Sequence, residues 1–410
     1  MKYKISEICD VNSNNLSKKD DFKYIDYLDT SNLTKGIIGE LQTLNLSTDK
    51  IPSRAKRKIK DKDILISTVR PNQKHYGIIK KAKKNLIAST GFVVLSANES
   101  LVDSEYLYRF LTQDNMTEYF QAIGETSTTA YPSIKPSVIS ELEINLPPLE
   151  EQKAIAKILS DLDEKIEVNN NINKNLEEMA QAIFKQWFVD FEFPNEEGKP
   201  YKSSGGEMVE SEFGMIPKDF KVISVYDVAN IIYGAPFKSK LFNEDKKGLP
   251  LIRIRDLKSG TPNFYTEEEH SKATIVKTGD ILVGMDAEFT PTIWHGETGY
   301  LNQRVCMFKS KISYISDYFL YESIKPYMKF MESAKVGTTV IHLGKSDIDK
   351  LTIILPSIDI IKRFSEISNS ILVKMINIYN ENRNLNKLRD TLLPKLMSGE
   401  IRVPLENSEN

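Results

Sequence analysis

LPPLEEQKAIAKILSDLDEKI, residues 146–166, is a sentence this chain writes twice: residues 355–375 read LPSIDIIKRFSEISNSILVKM. The second copy opens 355 − 146 = 209 residues after the first, and an internal repeat constrains architecture before any local reading does. Steps of four and three from Ile155 pick out Leu159, Leu162, Ile166, Asn169, Asn173, Leu176, Ala180, Ile183 and Trp187. The same steps from Phe364 pick out Ser368, Ile371, Met375, Ile378, Asn382, Leu385, Arg389, Leu392 and Leu396. Both series are heptad seams, which line one side of a helix and pack knobs-into-holes on a partner. Pro147-Pro148 and Pro356 precede the two runs, Glu150 and Glu151 complement the first helix dipole, and Ser398-Gly399 stops the second run. Roughly 40 residues at about 1.5 Å each make a helix of about 60 Å. A seam of that length is expected to be covered, either by the other copy or by a globular core, and packing of the two copies on each other is the economical choice. Asn173 and Asn382 hold matching seam positions, where a buried amide fixes register at some loss of stability.

The 410 residues suit two or three domains, and 40% hydrophobic with 9% aromatic content suits globular cores. No apolar run reaches bilayer length, and Met1-Lys2-Tyr3-Lys4 leads into no signal-peptide core. Cys9 and Cys306 are the only cysteines, which offers no disulfide framework and fits a reducing cytoplasm. Ahead of each helix lie short β-branched and aromatic runs broken by Gly, Pro, Asn and Asp, among them DILIS, GFVVLS, LPLIRIRDL, GDILVGM and RVCMF. That texture predicts α+β domains with non-local sheets. The halves echo each other here too: KDILIS around Asp63 matches GDILVG around Asp280, and GETSTTAYPSI from Gly124 loosely matches VGTTVIHL from Val336. The Gly-, Ser-, Pro- and Glu-rich stretch between the first helix and the second domain reads as a surface linker. The expected plan is a domain over 1–148, a helix over 149–192, a linker over 193–216, a domain over 217–355 and a helix over 356–402. The fold class is α+β: two duplicated domains separated by two long helices packed as an antiparallel coiled coil, with pseudo-twofold symmetry.

Over essentially its whole length the chain resembles the specificity subunits of Type I restriction-modification enzymes. Three stretches carry the resemblance: the opening of the first helix quoted above, WFVDFEFPNEEGKPYKSSGGEMVESEFGMIPKDF leaving it, and LRDTLLPKLMSGEI closing the second helix. The resemblance implies two target-recognition domains, each reading one half of a split DNA site, with the helices holding them apart and carrying methyltransferase subunits. It implies a non-catalytic chain that binds double-stranded DNA, two methyltransferase subunits and restriction/translocase subunits. S-adenosylmethionine, ATP and Mg then belong to those partners, and no cofactor to this chain. Physical logic agrees: two related domains on a rigid helical ruler present similar faces at two places on one duplex, and their divergence makes the half-sites different.

A formal net charge of −2 is unusual for a DNA binder, but the distribution matters more than the sum. Arg54, Lys56, Arg57, Lys58 and Lys60 form one basic run, and Lys80, Lys81, Lys83 and Lys84 another, while acid gathers on the first helix. Base reading needs side chains that make paired hydrogen bonds in the major groove. In the first domain the loop after DILIS offers Thr68, Arg70, Asn72, Gln73, Lys74 and Tyr76, and a second polar turn offers Ser127, Thr128, Thr129 and Tyr131. In the second domain the candidates are Lys238, Arg253, Arg255, Asp286, Glu288, Thr292, Trp294, His295, Gln303, Arg304, Thr338, Thr339 and His342. An acidic group among them could accept from the amino group of cytosine.

Enzymatic readings fail on pattern. LGKS at Leu343–Ser346 lacks the earlier glycine of a phosphate loop, since Thr339 stands there. Glu197 and Lys199 have the E-x-K form of a nuclease site with Asp190 upstream, but they sit in the linker. His75, His270, His295 and His342 show no metal-ligand spacing with the cysteines. The remaining alternative is a coiled-coil scaffold carrying two protein-binding domains.

Overall fold

Strand Ile64–Ser67 explains the first domain, because all four of its residues are buried. A strand that alternates sides yet is apolar throughout must be covered on both faces. Ile64 and Ile66, with Val93 and Leu95 of the neighbouring strand, pack on Tyr106, Leu107, Leu111 and Phe120 from the following helices. Leu65, Phe92 and Val94 turn the other way, onto Leu28 and Leu86 of a second sheet and onto Leu33. Each such side chain contributes about 1.5–3 kcal/mol on burial. The first sheet runs in the order Cys9–Val11, Phe92–Ala97, Ile64–Ser67, Tyr76–Ile78, and the second Gln42–Asn45, Tyr24–Leu28, Leu86–Ser89, Ala55–Lys58. Lys2–Lys4 pairs with Glu143–Asn145, which brings the ends of the domain together. This computed structural model describes residues 1–17, 19–127, 131–334 and 341–404.

The second domain repeats this topology strand for strand. Ala229–Tyr233, Val305–Ser310, Ile281–Gly284 and Thr292–Ile293 form one sheet; Tyr265–Thr266, Leu249–Ile252, Gly299–Leu301 and Ile275–Val276 form the other. The one parallel pairing of each second sheet recurs as well, Leu86–Ser89 beside Tyr24–Leu28 and Gly299–Leu301 beside Leu249–Ile252. Lys221–Ser224 pairs with Thr352–Leu355 as the first domain's end strands do. The Asp63 and Asp280 echo has a structural cause. Each carboxylate accepts a main-chain N–H three residues back, Lys60 N at 2.9 Å and Lys277 N at 2.7 Å, and so closes the turn that launches the central strand. The helices diverge: Ser104–Leu111 and Asp114–Glu125 are separate in the first domain, whereas Asp317–Ala334 is continuous through Pro326 in the second.

The first long helix spans Leu149–Phe184 and passes into a π turn over Lys185–Val189; the second spans Ile358–Ser398. The chain divides into two compact units, Met1–Ile166 with the residues from Leu385 onward, and Glu167–Asn384, so each unit owns part of both helices. In the first unit Glu151 pairs with Arg402 and Asp163 with Arg389, each at 2.8 Å. In the second, Asn169 meets Asn382, Asn173 Nδ2 lies 3.5 Å from the Met375 carbonyl, and the Phe184 ring packs on Phe364. In both units rising numbers on one helix meet falling numbers on the other, which is antiparallel packing.

None of the seam residues Ile155, Leu159, Leu162, Ile166, Asn173, Leu176, Ile183, Phe364, Ile371, Met375, Ile378, Asn382, Leu385 and Leu392 is exposed. The alternative covering also operates: Ile155, Leu159 and Leu396 join the first domain's core, and Phe364, Leu372 and Met375 the second's. Buried Gln152 ties the first helix to its domain by donating to Pro147 O at 2.9 Å and accepting from Asp103 N at 3.0 Å. The stretch read as a linker is more ordered than its composition predicts. Phe191 and Phe193 are buried, Phe193 stacks on Tyr201 and Phe220, and Met208–Ser211 pairs with Gly214–Pro217 as a hairpin. Aromatic anchors spaced among polar residues carry no periodicity, so the pattern concealed them.

Candidate nucleic-acid interface

Both domains hold the loop after the central strand in the same main-chain frame. In the first, Thr68 N–H donates to Gly91 O at 2.8 Å, Ile134 N–H to Thr68 O at 2.9 Å and Arg70 N–H to Pro132 O at 2.8 Å. In the second, Met285 N–H donates to Arg304 O at 2.9 Å, Leu343 N–H to Met285 O at 2.8 Å and Ala287 N–H to Ile341 O at 3.0 Å. The bridge Val69 to Ser133 corresponds to Asp286 to His342. Arg70 and Ala287 occupy equivalent positions and share a left-handed backbone, φ 49° and 65°. Non-glycine residues held there cost about 1–3 kcal/mol and gather where a loop is built for a task.

The side chains on this common frame differ. In the first domain the Arg70 guanidinium lies over the Tyr131 ring, 4.0 Å from its centroid. The loop is braced from beneath: His75 Nδ1 lies 2.8 Å from Leu33 O, Lys74 pairs with Asp114 at 2.5 Å, and Asn72 N–H donates to Gln121 Oε1 at 3.2 Å. Asn72 and Gln73 keep their side chains exposed. In the second domain the Asp286 carboxylate is held by His342 Nδ1 at 2.7 Å and faces Arg304 Nε at 3.6 Å. Arg304 stands where the first domain has Gly91, and exposed Gln303 stands at the place of Thr90. One frame therefore presents a ring-stacked cation on one side and a carboxylate–imidazole–guanidinium group on the other.

The remaining predicted residues sort by what they touch. Arg54 and Lys56 are exposed, and Arg54 O accepts from Thr90 N at 2.8 Å, which places this basic edge strand beside the loop. Arg57 donates to Asn15 Oδ1 and Lys58 pairs with Asp20, so both are committed inside the domain. Thr68 Oγ1 donates to Gly91 O and belongs to the frame itself. Tyr76 is half-buried, and desolvation pushes its hydroxyl up to about 12. Lys238, Arg255 and Glu288 are exposed, Ser127 and Thr292 half-buried. Thr128, Thr129, Thr338 and Thr339 lie outside the described residues.

One predicted base reader is corrected. Trp294 is fully buried, and its indole N–H donates to Glu297 O at 2.8 Å, so it is a core residue with a satisfied donor. Arg253 lies over the Phe264 ring with its Nε 3.6 Å from buried Asp256, and it braces the short helix Ile254–Leu257. The His295 ring packs at a tilt against Tyr379 of the second long helix. The turn Thr90–Gly91 was not foreseen as part of the site. Its signal was present in the match of STGFVV to NQRVCM, two stretches recognised as strands but not aligned.

Groups with the elements of catalysis have other occupations. Burial pushes the Cys9 and Cys306 thiols up to about 12, which keeps them protonated at neutral pH. Glu197 pairs with Lys199 and Asp190 with Lys185. Among the described residues no three His, Cys, Asp or Glu side chains gather as metal ligands, and no helix is long and apolar enough to cross a membrane.

The profile of the Type I restriction modification DNA specificity domain matches this chain twice, over residues 1–178 and 217–388. The chain belongs to that family. Both matches contain one copy of the frame described above. The Type I restriction enzyme HindI specificity subunit of Haemophilus influenzae is 28% identical, over 95% of this chain and 97% of its own length. The MjaIX specificity subunit of Methanocaldococcus jannaschii is 30% identical, over 80% of this chain and 76% of its own. The S subunit of the Type I restriction-modification system of M. genitalium, known from its crystal structure, shares the fold with a TM-score of 0.54 at 17% identity, covering 97% of this chain and 95% of that one.

Proposed function

We propose that this chain is the DNA-specificity subunit of a Type I restriction-modification assembly, reading a bipartite, asymmetric site through its two target-recognition domains. The observation that carries this reading is the duplicated frame with unlike side chains: equal main-chain bonds give the domains equivalent loops, while Arg70 with Tyr131 and Asp286 with His342 and Arg304 give them different chemistry. Equivalent placement makes each domain a reader, and divergence makes the half-sites differ. The chain acts as a recognition subunit rather than as an enzyme. Two methyltransferase subunits using S-adenosylmethionine dock on it and modify adenine in each half-site, and a restriction/translocase subunit supplies ATP- and Mg-dependent chemistry in the cytoplasm of its host. Helix length along Leu149–Phe184 and Ile358–Ser398 sets the spacing between half-sites.

The test is binding of duplex DNA by the chain with its methyltransferase subunit across a salt series. The expected result is sequence-selective binding whose logarithmic affinity falls linearly with the logarithm of salt concentration. Binding that ignores sequence, or no binding at any salt concentration, overturns the reading.

A further inference from the structure

We infer that Arg70 reads a guanine in the half-site of the first domain, with Tyr131 as the positioning residue that fixes the plane of its guanidinium. This inference rests on the DNA-recognition function proposed above and assigns one base to one side chain. Arg70 is set apart from three neighbouring cations, whose charges are already engaged. Lys74 is neutralised by Asp114, Lys58 by Asp20, and Arg57 is spent on Asn15. Among the described residues no carboxylate pairs with Arg70; its side chain has the Tyr131 face, 4.0 Å from the ring centroid. A guanidinium held over a ring face keeps donors available at its edge and loses part of its rotational freedom before any ligand arrives.

The backbone beneath it is equally constrained. Arg70 N–H donates to Pro132 O at 2.8 Å and Arg70 O accepts from Gln73 N at 2.9 Å, and both Arg70 and Lys74 are left-handed, φ 49° and 55°. A fork of donors held in one orientation suits a planar pair of acceptors. Two such acceptors exist on DNA, the O6 and N7 edge of guanine and a backbone phosphate. The surroundings favour guanine. A cleft of about 440 Å³ beside the loop carries Glu118 and Glu125 along one helix, carboxylates that repel a phosphate backbone. A phosphate contact also gains little from such rigidity, whereas base discrimination depends on it.

The experiment uses the chain assembled with its methyltransferase subunit. The methylated motif of the wild type is mapped first, and affinity is then measured for duplexes varied one base pair at a time in each half-site. For Arg70→Ala the expected result is loss of preference at a single G·C pair in one half-site, on the order of ten- to a hundredfold, with the other half-site unchanged. Arg70→Gly, which also relieves the left-handed backbone, gives the same relaxation and guards against misfolding as its cause. Arg70→Lys does not restore the preference, because an ammonium lacks the planar fork. Tyr131→Phe behaves as wild type, and Tyr131→Ala weakens the preference at the same G·C pair without moving it. A uniform loss of affinity for all duplexes, with a salt slope smaller by about one, makes Arg70 a phosphate contact and overturns the inference. An unchanged motif, or relaxation at an A·T pair, overturns it as well. Absence of any bipartite motif in the wild type removes the parent function instead, so the two failures are distinguishable.

Discussion

Asn169 Nδ2 donates to Asn382 Oδ1 at 2.9 Å, joining the two long helices through a buried amide pair. Asn382 Nδ2 in turn donates to Asn170 Oδ1 at 2.9 Å, and Asn169 Nδ2 also meets Glu381 Oε2 at 2.8 Å. The side-chain Oδ1 atoms of Asn169 and Asn173 are buried with no hydrogen-bond partner among the described residues. A polar layer of this kind costs stability and specifies register. Asn382→Ala is expected to lower stability by about 1–2 kcal/mol, because it removes one of the two acceptors of the buried Asn169 amide. Replacing Asn169, Asn173 and Asn382 together by Leu is expected to raise the thermal unfolding midpoint while letting the helices slip. Pulsed hydrogen exchange along both helices checks this, and lower stability of the triple variant would contradict it.

Asp163 stands between two arginines, Arg109 Nη1 at 2.5 Å and Arg389 Nη1 at 2.8 Å. All three groups are at most about a third exposed, which lessens solvent screening without removing it. Asp163→Ala leaves two cations facing each other and is expected to destabilise the first unit by about 1–3 kcal/mol. Denaturation of the variant and the wild type at low and high salt measures it, and the difference should shrink as salt rises.

The second domain is fastened to its helix by Arg383, which donates to Thr278 Oγ1 at 3.0 Å, His295 O at 3.2 Å and Gly296 O. Burial holds this guanidinium below its ordinary pKa. Arg383→Ala removes a donor from all three acceptors at once, of which Gly296 O keeps the Thr278 hydroxyl, and is expected to increase amide exchange over residues 278–296 about tenfold or more, and Arg383→Lys should recover little of the protection. Unchanged exchange in the alanine variant would mean that apolar packing alone holds the domain.

Glu322 is buried in the second domain's core, 2.7 Å from Lys325 Nζ, and desolvation pushes its carboxyl above the ordinary value of 4.5. The folded state therefore binds this proton more tightly than the unfolded state does. Its stabilising contribution is full below the unfolded value and is lost as pH rises through the folded one. Glu322→Gln is expected to flatten the stability profile from pH 4.5 upward and to raise stability at pH 7, as read from unfolding midpoints across that range.

The parts of the fold that were legible in sequence are those with periodicity. The seams of Ile155 and Phe364 announced paired helices because seven-residue spacing has few other causes, and Asp63 and Asp280 announced the duplication because each closes the same turn. Repetition does not give the amide partners: Asn173 and Asn382 are equivalent by duplication, but antiparallel packing sets Asn382 against Asn169. Trp294 was misplaced because a polar neighbourhood in sequence does not reveal that the indole fills the core. The frame around Arg70 was invisible for a different reason. It is made of main-chain bonds between segments 62 residues apart, such as Arg70 to Pro132, whose geometry no side-chain pattern encodes.

The central claim, that the two domains read two different half-sites, is tested most directly by mapping N6-methyladenine across the genome of a host that expresses this chain with its methyltransferase subunit. The map is repeated after residues 1–148 are replaced by the corresponding domain of another specificity subunit. The account predicts a split, asymmetric motif that depends on this chain and that changes in one half only after the exchange. A motif that survives removal of the chain, or an exchange that alters both halves or neither, would contradict it.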